Sequence, residues 1–498
     1  MRTDFTINDL LRRQVEERPT AAAVISHGLT LTYAGLYTRV CHAAAALQGS
    51  GVSPEDRIGI QANRLDTIIW MMATSLVGGV FVNINEVLTA EQVAHITADC
   101  DIFVMVTNKP IINAHYMQVP PDGSEIVNDG RFTPVPLSEN SLATLIYTSG
   151  STGWPKGVML THRNLLVGAQ IVSGYLENTQ YDRVLGVLPL SFDAGLSQWT
   201  TMLAVGGAYV IPRSNLPGDL RAAILNHGVT GITGVPHVWT LLLNAFGGQP
   251  TTPFLNYLAN TGGKIPQQHL DRLRATFPIT RIYLMYGLTE AFRSTYLPPK
   301  ELWRGSSCIG KAIPNTEVWV VNDAGKECPP NVIGELVHHG PTLTLGYWGD
   351  AERTERVFRR NPFSPDGVMD RDIVVYSGDL VYRDEDDFLY HVGRVDEQIK
   401  SQGYRVSPTE IESALYDVLE VAEVVAFGVD GEGGQKIIAV MVGDVSSEEV
   451  LRKVRVKVPA YMVPSEVFFL DTLPTNANGK LDRKALREKY LAGGLCCA

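Results

Sequence analysis

Short apolar runs alternate with longer stretches whose apolar residues recur every three or four positions. The runs at 57–61, 81–84 and 142–146 have the length of buried strands. The stretches at 6–11 and 67–80 have the spacing of helices. Strands that alternate with helices predict a parallel sheet that is covered by helices on both faces.

The pattern changes near residue 306. Short strand-like runs at 317–321, 334–338 and 379–382 follow one another, separated by Gly, Pro and Asn turns. This succession of short strands and turns predicts a small subdomain that is mostly β.

After Gly393 the remaining chain has its own strands, at 424–428 and 436–442, and its own helix, at 447–456. A segment of this size can form a separate core. We therefore predict an α/β protein with two domains. A large N-terminal domain of parallel α/β sheets plus a small β subdomain spans residues 1–393, and a mobile α+β C-terminal domain spans residues 394–498.

Composition narrows the classes of function. The chain has 498 residues, of which 45% are hydrophobic and 19% charged, and a net charge of −11. This charge argues against nucleic acid or an anionic membrane as a partner. The six cysteines lack metal-site spacing, which predicts reduced thiols and a cytoplasmic location. No apolar run is long enough to span a membrane.

The stretch at 147–158, Tyr-Thr-Ser-Gly-Ser-Thr-Gly-Trp-Pro-Lys-Gly-Val, carries chemistry for binding phosphate. Its glycines allow close backbone approach, its N–H groups are available as donors, and Lys156 supplies a positive charge. It is not a Walker A loop, which requires Ser or Thr after the lysine, where Gly157 stands here. By itself the stretch is equally compatible with an ordinary loop.

Further stretches with functional residue types follow in a fixed order. They lie at 188–193, 261–263, 286–290, 377–379, 393–400, 403–412 and 478–483. Together with the 147–158 stretch, this set resembles the AMP-forming adenylating enzymes: acyl-CoA synthetases, luciferases and the adenylation domains of nonribosomal peptide synthetases. The resemblance covers residues 6–490, almost the whole chain.

The resemblance implies a two-step reaction. A carboxylate attacks the α-phosphate of ATP, which gives an acyl-adenylate and pyrophosphate. A thiol, on CoA or on phosphopantetheine, then displaces AMP and forms a thioester. The resemblance also implies a Mg²⁺ ion with Glu290 as its ligand, beside Thr289.

The resemblance assigns nucleotide-binding roles to several groups of residues. The loop that binds the β- and γ-phosphates in the family is matched here by Thr148, Ser149, Gly150, Ser151, Thr152, Gly153 and Lys156. Tyr286 and Gly263 are expected to flank the adenine base, with Gly262 and Gly287 next to them in the sequence. Asp379 is expected to accept hydrogen bonds from the ribose hydroxyls, and Arg394 is expected to help on the ribose–phosphate side.

Lys480 is the expected catalytic cation of the first step, because charge that develops on the α-phosphate favours a cation there. In members of the family the C-terminal domain then rotates about a hinge residue, and the resemblance matches this residue to Asp396. Rotation withdraws Lys480 and brings in the face of Lys400, Gly403 and Tyr404, where Gly403 leaves room for a pantetheine arm.

The acyl pocket of the family corresponds here to Phe192, Asp193, Ser197, Trp239, Thr261, Met285 and Arg293. Asp193 is compatible with two substrate classes. In relatives that activate amino acids an Asp at this place pairs with the α-ammonium group, yet the surrounding residues also resemble stand-alone acyl-CoA ligases. Arg293 has three interpretations: it pairs with a second carboxylate, it pairs with Asp193, or it lies at the surface, and we favour the surface.

Three functions remain open from the sequence. An acyl-CoA synthetase leads. The alternative is a free-standing amino-acid adenylase that loads a separate acyl or peptidyl carrier protein, or an enzyme that hands the adenylate to a non-thiol nucleophile; no carrier domain follows Tyr490 within the chain. A silent nucleotide-binding protein is disfavoured, because the charged residues of the motifs are all present.

Overall fold

A computed structural model describes residues 5–109, 117–119, 131–149, 154–247, 254–365, 372–401, 404–418, 421–431 and 434–495. The first part of the chain contains α1 (Ile7–Glu17), β1 (Ala22–Ser26), β2 (Leu29–Thr32), α2 (Tyr33–Gly49), β3 (Arg57–Gln61), α3 (Arg64–Leu76), β4 (Val80–Asn83), α4 (Ala90–Asp99), β5 (Ile102–Thr107), β6 (Met117–Val119), β7 (Leu142–Ser149) and β8 (Pro155–Thr161).

The middle part contains α5 (His162–Tyr175), β9 (Arg183–Leu185), α6 (Asp193–Val205), β10 (Ala208–Val210), α7 (Pro217–His227), β11 (Gly231–Gly234), α8 (Pro236–Phe246), β12 (Tyr257–Asn260), α9 (Gln267–Thr276), β13 (Arg281–Leu288) and β14 (Ala291–Leu297). A 3₁₀ helix at Pro299–Arg304 leads to β15 (Cys308–Ala312), β16 (Glu317–Val321), β17 (Gly334–His339), α10 (Ala351–Val357), β18 (Phe358–Arg360), β19 (Ile373–Arg383) and β20 (Leu389–Arg394).

The last part contains β21 (Ile399–Ser401), β22 (Tyr404–Val406), α11 (Pro408–Val418), β23 (Glu423–Gly431), β24 (Gly434–Val442), α12 (Ser447–Lys457), a 3₁₀ turn at Ala460–Met462, β25 (Glu466–Phe469) and α13 (Arg483–Leu491). Strands β23, β24 and β25 form one sheet, and β21 pairs with β22 in a separate hairpin.

Two sheets form the large N-terminal region. The first has the order β6-β5-β3-β4-β7-β8 and is parallel except for the β7–β8 hairpin. The second has fourteen strands within the described residues. Its strands β1, β10, β9, β11, β12 and β13 pair in parallel, and the strands beyond β13 pair antiparallel.

The helices between these sheets fill the largest hydrophobic core. Ile58 and Phe81 from the first sheet and Tyr209 from the second belong to one buried cluster. Trp70 of α3 and Trp199 of α6, both almost fully buried, join the same cluster. The predicted mixed α/β fold, with a large N-terminal sheet region and a smaller C-terminal region, is confirmed.

The predicted β subdomain is continuous with the large sheet. Strand β15 pairs with β14 through Thr295 and Ala312, and with β20 through Cys308 and Tyr390. The pattern of residues predicted strands there but not this shared strand. The domain boundary at residue 394 and the mobility of the C-terminal domain stay predictions.

The ends of the strands and helices predicted from the hydrophobic pattern agree with the structure in some elements and not in others. Strands β3 and β16 have the predicted bounds. The helix predicted over 67–80 was wrong at its end: α3 ends at Leu76, because Gly78 adopts φ +80° and Val80 begins β4. None of the helices in the described ranges is both long and apolar enough to cross a membrane.

Candidate active site

A cleft of about 2300 Å³ lies where the C-terminal region meets the large sheet. Its floor is made by residues that follow the carboxyl ends of β9, β11, β12 and β13. The carboxyl ends of parallel strands are where α/β proteins usually bind ligands. The turn at 475–480 closes the cleft from the C-terminal side.

This turn holds Lys480 in place. Thr475 and Leu481 pair across its base, and the Asn476 N–H donates to the Lys480 carbonyl at 2.7 Å. The Asn476 side-chain oxygen accepts from the N–H groups of Asn478 and Lys480. Gly479 adopts φ +76°, a conformation that glycine takes without strain. The turn is therefore ordered by its own hydrogen bonds.

The Lys480 side chain enters the cleft of the N-terminal region. Its Nζ lies 5.2 Å from the centre of the Phe192 ring. Its Cε lies so close to Gly262 that a Cβ there would be 2.9 Å away. Burial lowers the pKa of Lys480, while the negative charges of Asp193 and Asp379 oppose this shift. A cation in this position faces both carboxylates.

Asp379 is the centre of a polar cluster on the opposite wall. The Tyr286 hydroxyl donates to its Oδ2 at 2.5 Å, and Arg394 Nη1 donates to its Oδ1 at 3.0 Å. His391 Nε2 lies 3.6 Å from the same Oδ1. Burial alone raises the pKa of Asp379, but His391, Arg394 and Tyr286 outweigh it and hold the pKa below its usual value. Asp379 is therefore an ionised acceptor.

Glu290 lies on the cleft at the end of the β13–β14 connection. The Tyr347 hydroxyl donates to its Oε1 at 2.5 Å. The Thr344 N–H donates to the Glu290 carbonyl at 3.0 Å, which fixes the backbone. Thr289 is buried beside it. The carboxylate is thus oriented and partly buried, with one oxygen not engaged by Tyr347.

The predicted phosphate loop joins two paired strands. Thr148 pairs with Lys156 and Ser149 with Pro155 in the β7–β8 hairpin. The connecting residues Gly150, Ser151, Thr152 and Gly153 lie outside the described residues. Lys156 Nζ donates to Asp350 Oδ2 at 3.3 Å, and Asp350 also caps α10.

The predicted acyl-pocket residues separate into two groups. The cleft is lined by Phe192, Asp193, Thr261, Met285 and Arg293. Trp239 and Ser197 do not line it. Trp239 is fully buried, and its Nε1 donates to Asn260 Oδ1 at 2.7 Å. Asn260 in turn donates to the Gly263 carbonyl at 2.9 Å, so Trp239 supports the 261–263 turn from below.

The favoured surface position of Arg293 was wrong. Arg293 is only 3% exposed, and its Nη1 lies 3.8 Å from Asp193 Oδ2. The pairing of β13 with β14 shifts register near Leu288, and Arg293 adopts φ +85°. A non-glycine residue in this conformation is uncommon and often marks a functional site. Periodicity assumes a regular strand, so it does not detect this bulge.

The second predicted face lies away from the cleft. Lys400 is exposed on the β21–β22 hairpin, and neither it nor Tyr404 lines the cleft. Tyr404 stacks on Tyr461 with 4.2 Å between ring centres. Asp396 accepts from Arg394 Nε at 3.0 Å, and Gly403 lies outside the described residues.

The contacts that hold the two regions together are not evident from the sequence. Within the described residues, polar contacts from the N-terminal region to the C-terminal region include Asn85 to the Ala477 carbonyl at 2.6 Å, His237 to Glu423 at 3.0 Å, Lys264 to Ser413 at 2.6 Å, and Gln268 to the Tyr416 carbonyl. These residues look like ordinary surface residues in the sequence. A pattern within one helix carries no signal of a partner more than a hundred residues away.

His338 was also missed. It is fully buried, neither ring nitrogen has a hydrogen-bond partner, and its ring stacks on Tyr286 with 6.1 Å between centres. Burial lowers its pKa to about 4, against the opposing charge of Asp379. The neutral ring therefore packs behind Tyr286.

Comparisons with known proteins identify the family. A family model described as AMP-binding enzyme matches residues 11–348, and one described as AMP-binding enzyme C-terminal domain matches residues 410–480. This chain belongs to the AMP-binding enzyme family.

Relatives by sequence are segments of much longer proteins. Tyrocidine synthase 3 from Brevibacillus parabrevis is 30% identical over 501 residues, which cover 97% of this chain and 8% of that protein. Gramicidin S synthase 2 from Aneurinibacillus migulanus is 29% identical over 97% of this chain and 11% of its own length. The chain thus spans only a small part of either relative.

Solved structures of similar length share the fold. O-succinylbenzoate coenzyme A synthetase (MenE) from Bacillus subtilis, solved with ATP and magnesium ion, has a TM-score of 0.86 and 26% identity over 96% of this chain and 99% of that one. The anthranilate CoA ligase AuaEII, solved with anthranoyl-AMP, has a TM-score of 0.89 at 22% identity, with 99% of both chains covered. The second likeness concerns the fold alone.

The depressed pKa of His338 predicts a pH-dependent stability. The unfolded chain binds a proton near pH 6.5, whereas folded His338 binds one only near pH 4, so this contribution to stability is complete above pH 6.5 and is lost as pH falls. Between pH 7 and pH 5 we expect His338→Phe to lose about 2 kcal/mol less unfolding free energy than the unmodified protein. Urea unfolding at both pH values measures this. His27→Phe, at an exposed histidine, is the control, and equal losses in all three proteins would contradict the assignment.

Proposed function

We propose that this protein activates a carboxylic acid with ATP and Mg²⁺ and transfers the acyl group to a thiol, with CoA as the favoured acceptor. The observation that carries the proposal is the entry of Lys480 into the cleft that also holds Asp379 and Asp193. The family membership and the solved structure of MenE with ATP and magnesium ion support it.

The ribose end of ATP fits the Asp379 cluster, because an ionised acceptor with one neighbouring arginine suits two hydroxyl groups. The adenine fits beside Tyr286 and the turn at 262–263. At this turn Gly262 adopts φ +72°, and its bare backbone lets the Lys480 side chain approach closely. The hairpin with Thr148 and Lys156 would then hold the outer phosphates, together with residues 149–153.

Glu290 is the proposed Mg²⁺ ligand. The described residues contain no cluster of three or more His, Cys, Asp or Glu side chains suited to a metal. A single oriented carboxylate fits Mg²⁺, which keeps several waters and takes phosphate oxygens as its other ligands. Bound there, the ion would neutralise phosphate charge.

In the first step a carboxylate oxygen of the acid forms a bond to the α-phosphorus, the bond to the β-phosphate oxygen breaks, and pyrophosphate leaves. Negative charge spreads over the α-phosphate oxygens as this happens. Lys480 stabilises that charge more in the transition state than in the ground state.

In the second step the thiol sulfur attacks the acyl carbon, the bond to the phosphate oxygen breaks, AMP leaves, and the thiol proton passes to water. We propose that the C-terminal region first rotates about Asp396, so that Lys480 withdraws and the face of Lys400 and Tyr404 enters. The described contacts between the regions include polar pairs such as His237 and Glu423, and their partly exposed side chains support this because such pairs exchange readily with water.

The surroundings of Asp193 favour a substrate without an α-amino group. Asp193 is buried, with Arg293 at 3.8 Å and the charge of Lys480 nearby. A buried carboxylate needs a cationic partner, and Asp193 already has two. The alternative, an amino-acid adenylase that serves a carrier protein, is favoured by the relatives among the tyrocidine and gramicidin S synthases.

Lys480→Ala tests the role of the lysine. We expect a loss of about 10³-fold in acid-dependent ATP–pyrophosphate exchange, as for removal of one transition-state donor, with thioester formation from supplied acyl-adenylate retained. Lys457→Ala, at an exposed lysine of the same region, is the control. Equal losses in both half-reactions would contradict the assignment of Lys480 to the first step alone.

Gly262→Ala tests the close contact with Lys480. The new methyl would lie 2.9 Å from Lys480 Cε, so we expect adenylate formation to fall by about tenfold or more. Gly247→Ala introduces similar backbone strain, at φ +55°, with no atom of the described neighbouring residues within 4 Å. Thermal unfolding of both variants measures the strain. If the two variants keep the same activity, the contact does not matter for the reaction.

A matched pair of acids tests the substrate class. We expect pyrophosphate exchange with 3-phenylpropanoate to exceed exchange with phenylalanine, because Asp193 is already paired, and AMP release to depend on CoA. Exchange with amino acids alone, abolished by Asp193→Asn, would instead favour the carrier-protein alternative.

A further inference from the structure

A second cavity lies behind the acyl end of the cleft. It measures about 10 Å³, close to the space that one water-sized group needs. Met285 and Arg293 line both this cavity and the cleft, so the two spaces adjoin at these side chains. Val172 and Leu176 belong to its apolar wall, and we call it the distal chamber.

Three polar atoms of side chains that line the distal chamber have no hydrogen-bond partner. They are Gln198 Oε1, Thr201 Oγ1 and Arg293 Nε, and each residue is at least 96% buried. Unpartnered buried polar atoms cost free energy, and three of them around one small cavity are unusual. The chamber therefore offers hydrogen-bond partners to one small polar group, such as a water molecule or a hydroxyl.

The orientation of Gln198 is fixed by its other end. Its Nε2 donates to the carbonyls of Leu185, at 3.1 Å, and Thr233, at 3.0 Å. Since a swapped amide would bring oxygen against two carbonyl oxygens, Oε1 is the free atom and acts as an acceptor. Arg293 Nε–H is a donor, and the Thr201 hydroxyl is either.

This set of groups matches an O–H group, either of a water molecule or of a hydroxyl on the acid. A hydroxyl oxygen accepts from Arg293 Nε, and its proton is donated to Gln198 Oε1. A carboxylate has no proton to donate to Gln198, and the charge of Arg293 is already balanced by Asp193. A methyl end would leave all three protein atoms without partners.

We propose that the acid substrate carries a hydroxyl group at the end remote from its reacting carboxylate, and that the distal chamber binds this hydroxyl. The inference rests on the proposed function, because it assumes that an acid occupies the cleft. It names Gln198 and Thr201 as specificity-determining residues, in addition to Arg293. The apolar wall beyond them limits the length of the acid.

The test uses ATP–pyrophosphate exchange with pairs of acids that differ only at the far end. The pairs are hydroxylated and plain straight-chain acids of four to eight carbons, and 4-hydroxybenzoate with benzoate; the corresponding diacids complete each series. We expect kcat/KM to be about tenfold higher for the hydroxylated member of the pair whose length fits, as expected for a hydrogen bond of typical strength. Equal kcat/KM values within every active pair, as expected if a water molecule fills the chamber, would overturn the proposal. A preference for the diacids would also overturn it.

Two threonines give a matched pair of variants. Thr201→Val removes the Thr201 hydroxyl, and we expect the ratio of kcat/KM for the hydroxylated acid to kcat/KM for the plain acid to fall towards one. Thr200→Val is the control, because Thr200 is equally buried but donates to the Ser197 carbonyl at 3.3 Å and does not line the chamber. Thermal unfolding of both variants monitors folding. If Thr201→Val lowers kcat/KM equally for both acids, its role is structural and the proposal is wrong.

The exchange experiment distinguishes failure of the proposed function from failure of the distal-chamber proposal. If no acid of any kind supports exchange, the proposed function is wrong. If plain acids support exchange as well as hydroxylated ones, the proposed function holds and only the distal chamber has been misassigned.

Discussion

The arrangement of charges in the cleft is set by one constraint: the cation of Lys480 is kept partly out of water. Lys480 sits in a cleft where burial lowers its pKa, and the carboxylates of Asp193 and Asp379 offset that cost. Removing water strengthens the field that the cation exerts on nearby charge, since less solvent screens it. The hydrogen-bonded turn around Asn476 holds the amine in place. Both walls of the cleft therefore have to be negative where the lysine enters.

That constraint links the two ends of the cleft. Asp379, with its donors Tyr286 and Arg394, supplies charge on the nucleotide side, and Asp193, close to Arg293, supplies it on the acid side. Removing Lys480 from the cleft would leave both carboxylates with fewer cations. The proposed rotation of the C-terminal region consequently changes the electrostatics of the whole cleft, not only the position of one side chain.

The sequence predicted the fold class, because strand and helix patterns are local. It predicted less where the answer depends on distant partners. Arg293 is buried through a bulge between β13 and β14, and Trp239 supports a turn instead of lining the cleft. Residues 150–153 and Gly403 lie outside the described residues, so their roles stay predictions. The unpartnered atoms of Gln198 and Thr201 are visible only when the packing of α6 is known.

We propose that one nucleotide contacts both Asp379 and Lys480, and a crystal structure of the protein with bound ATP tests this. We expect ribose hydroxyls within about 3.2 Å of the Asp379 carboxylate and an α-phosphate oxygen within about 3.2 Å of Lys480 Nζ, in the same nucleotide. A nucleotide that binds elsewhere, or that binds Asp379 while its α-phosphate lies far from a Lys480 still in the cleft, would contradict the account.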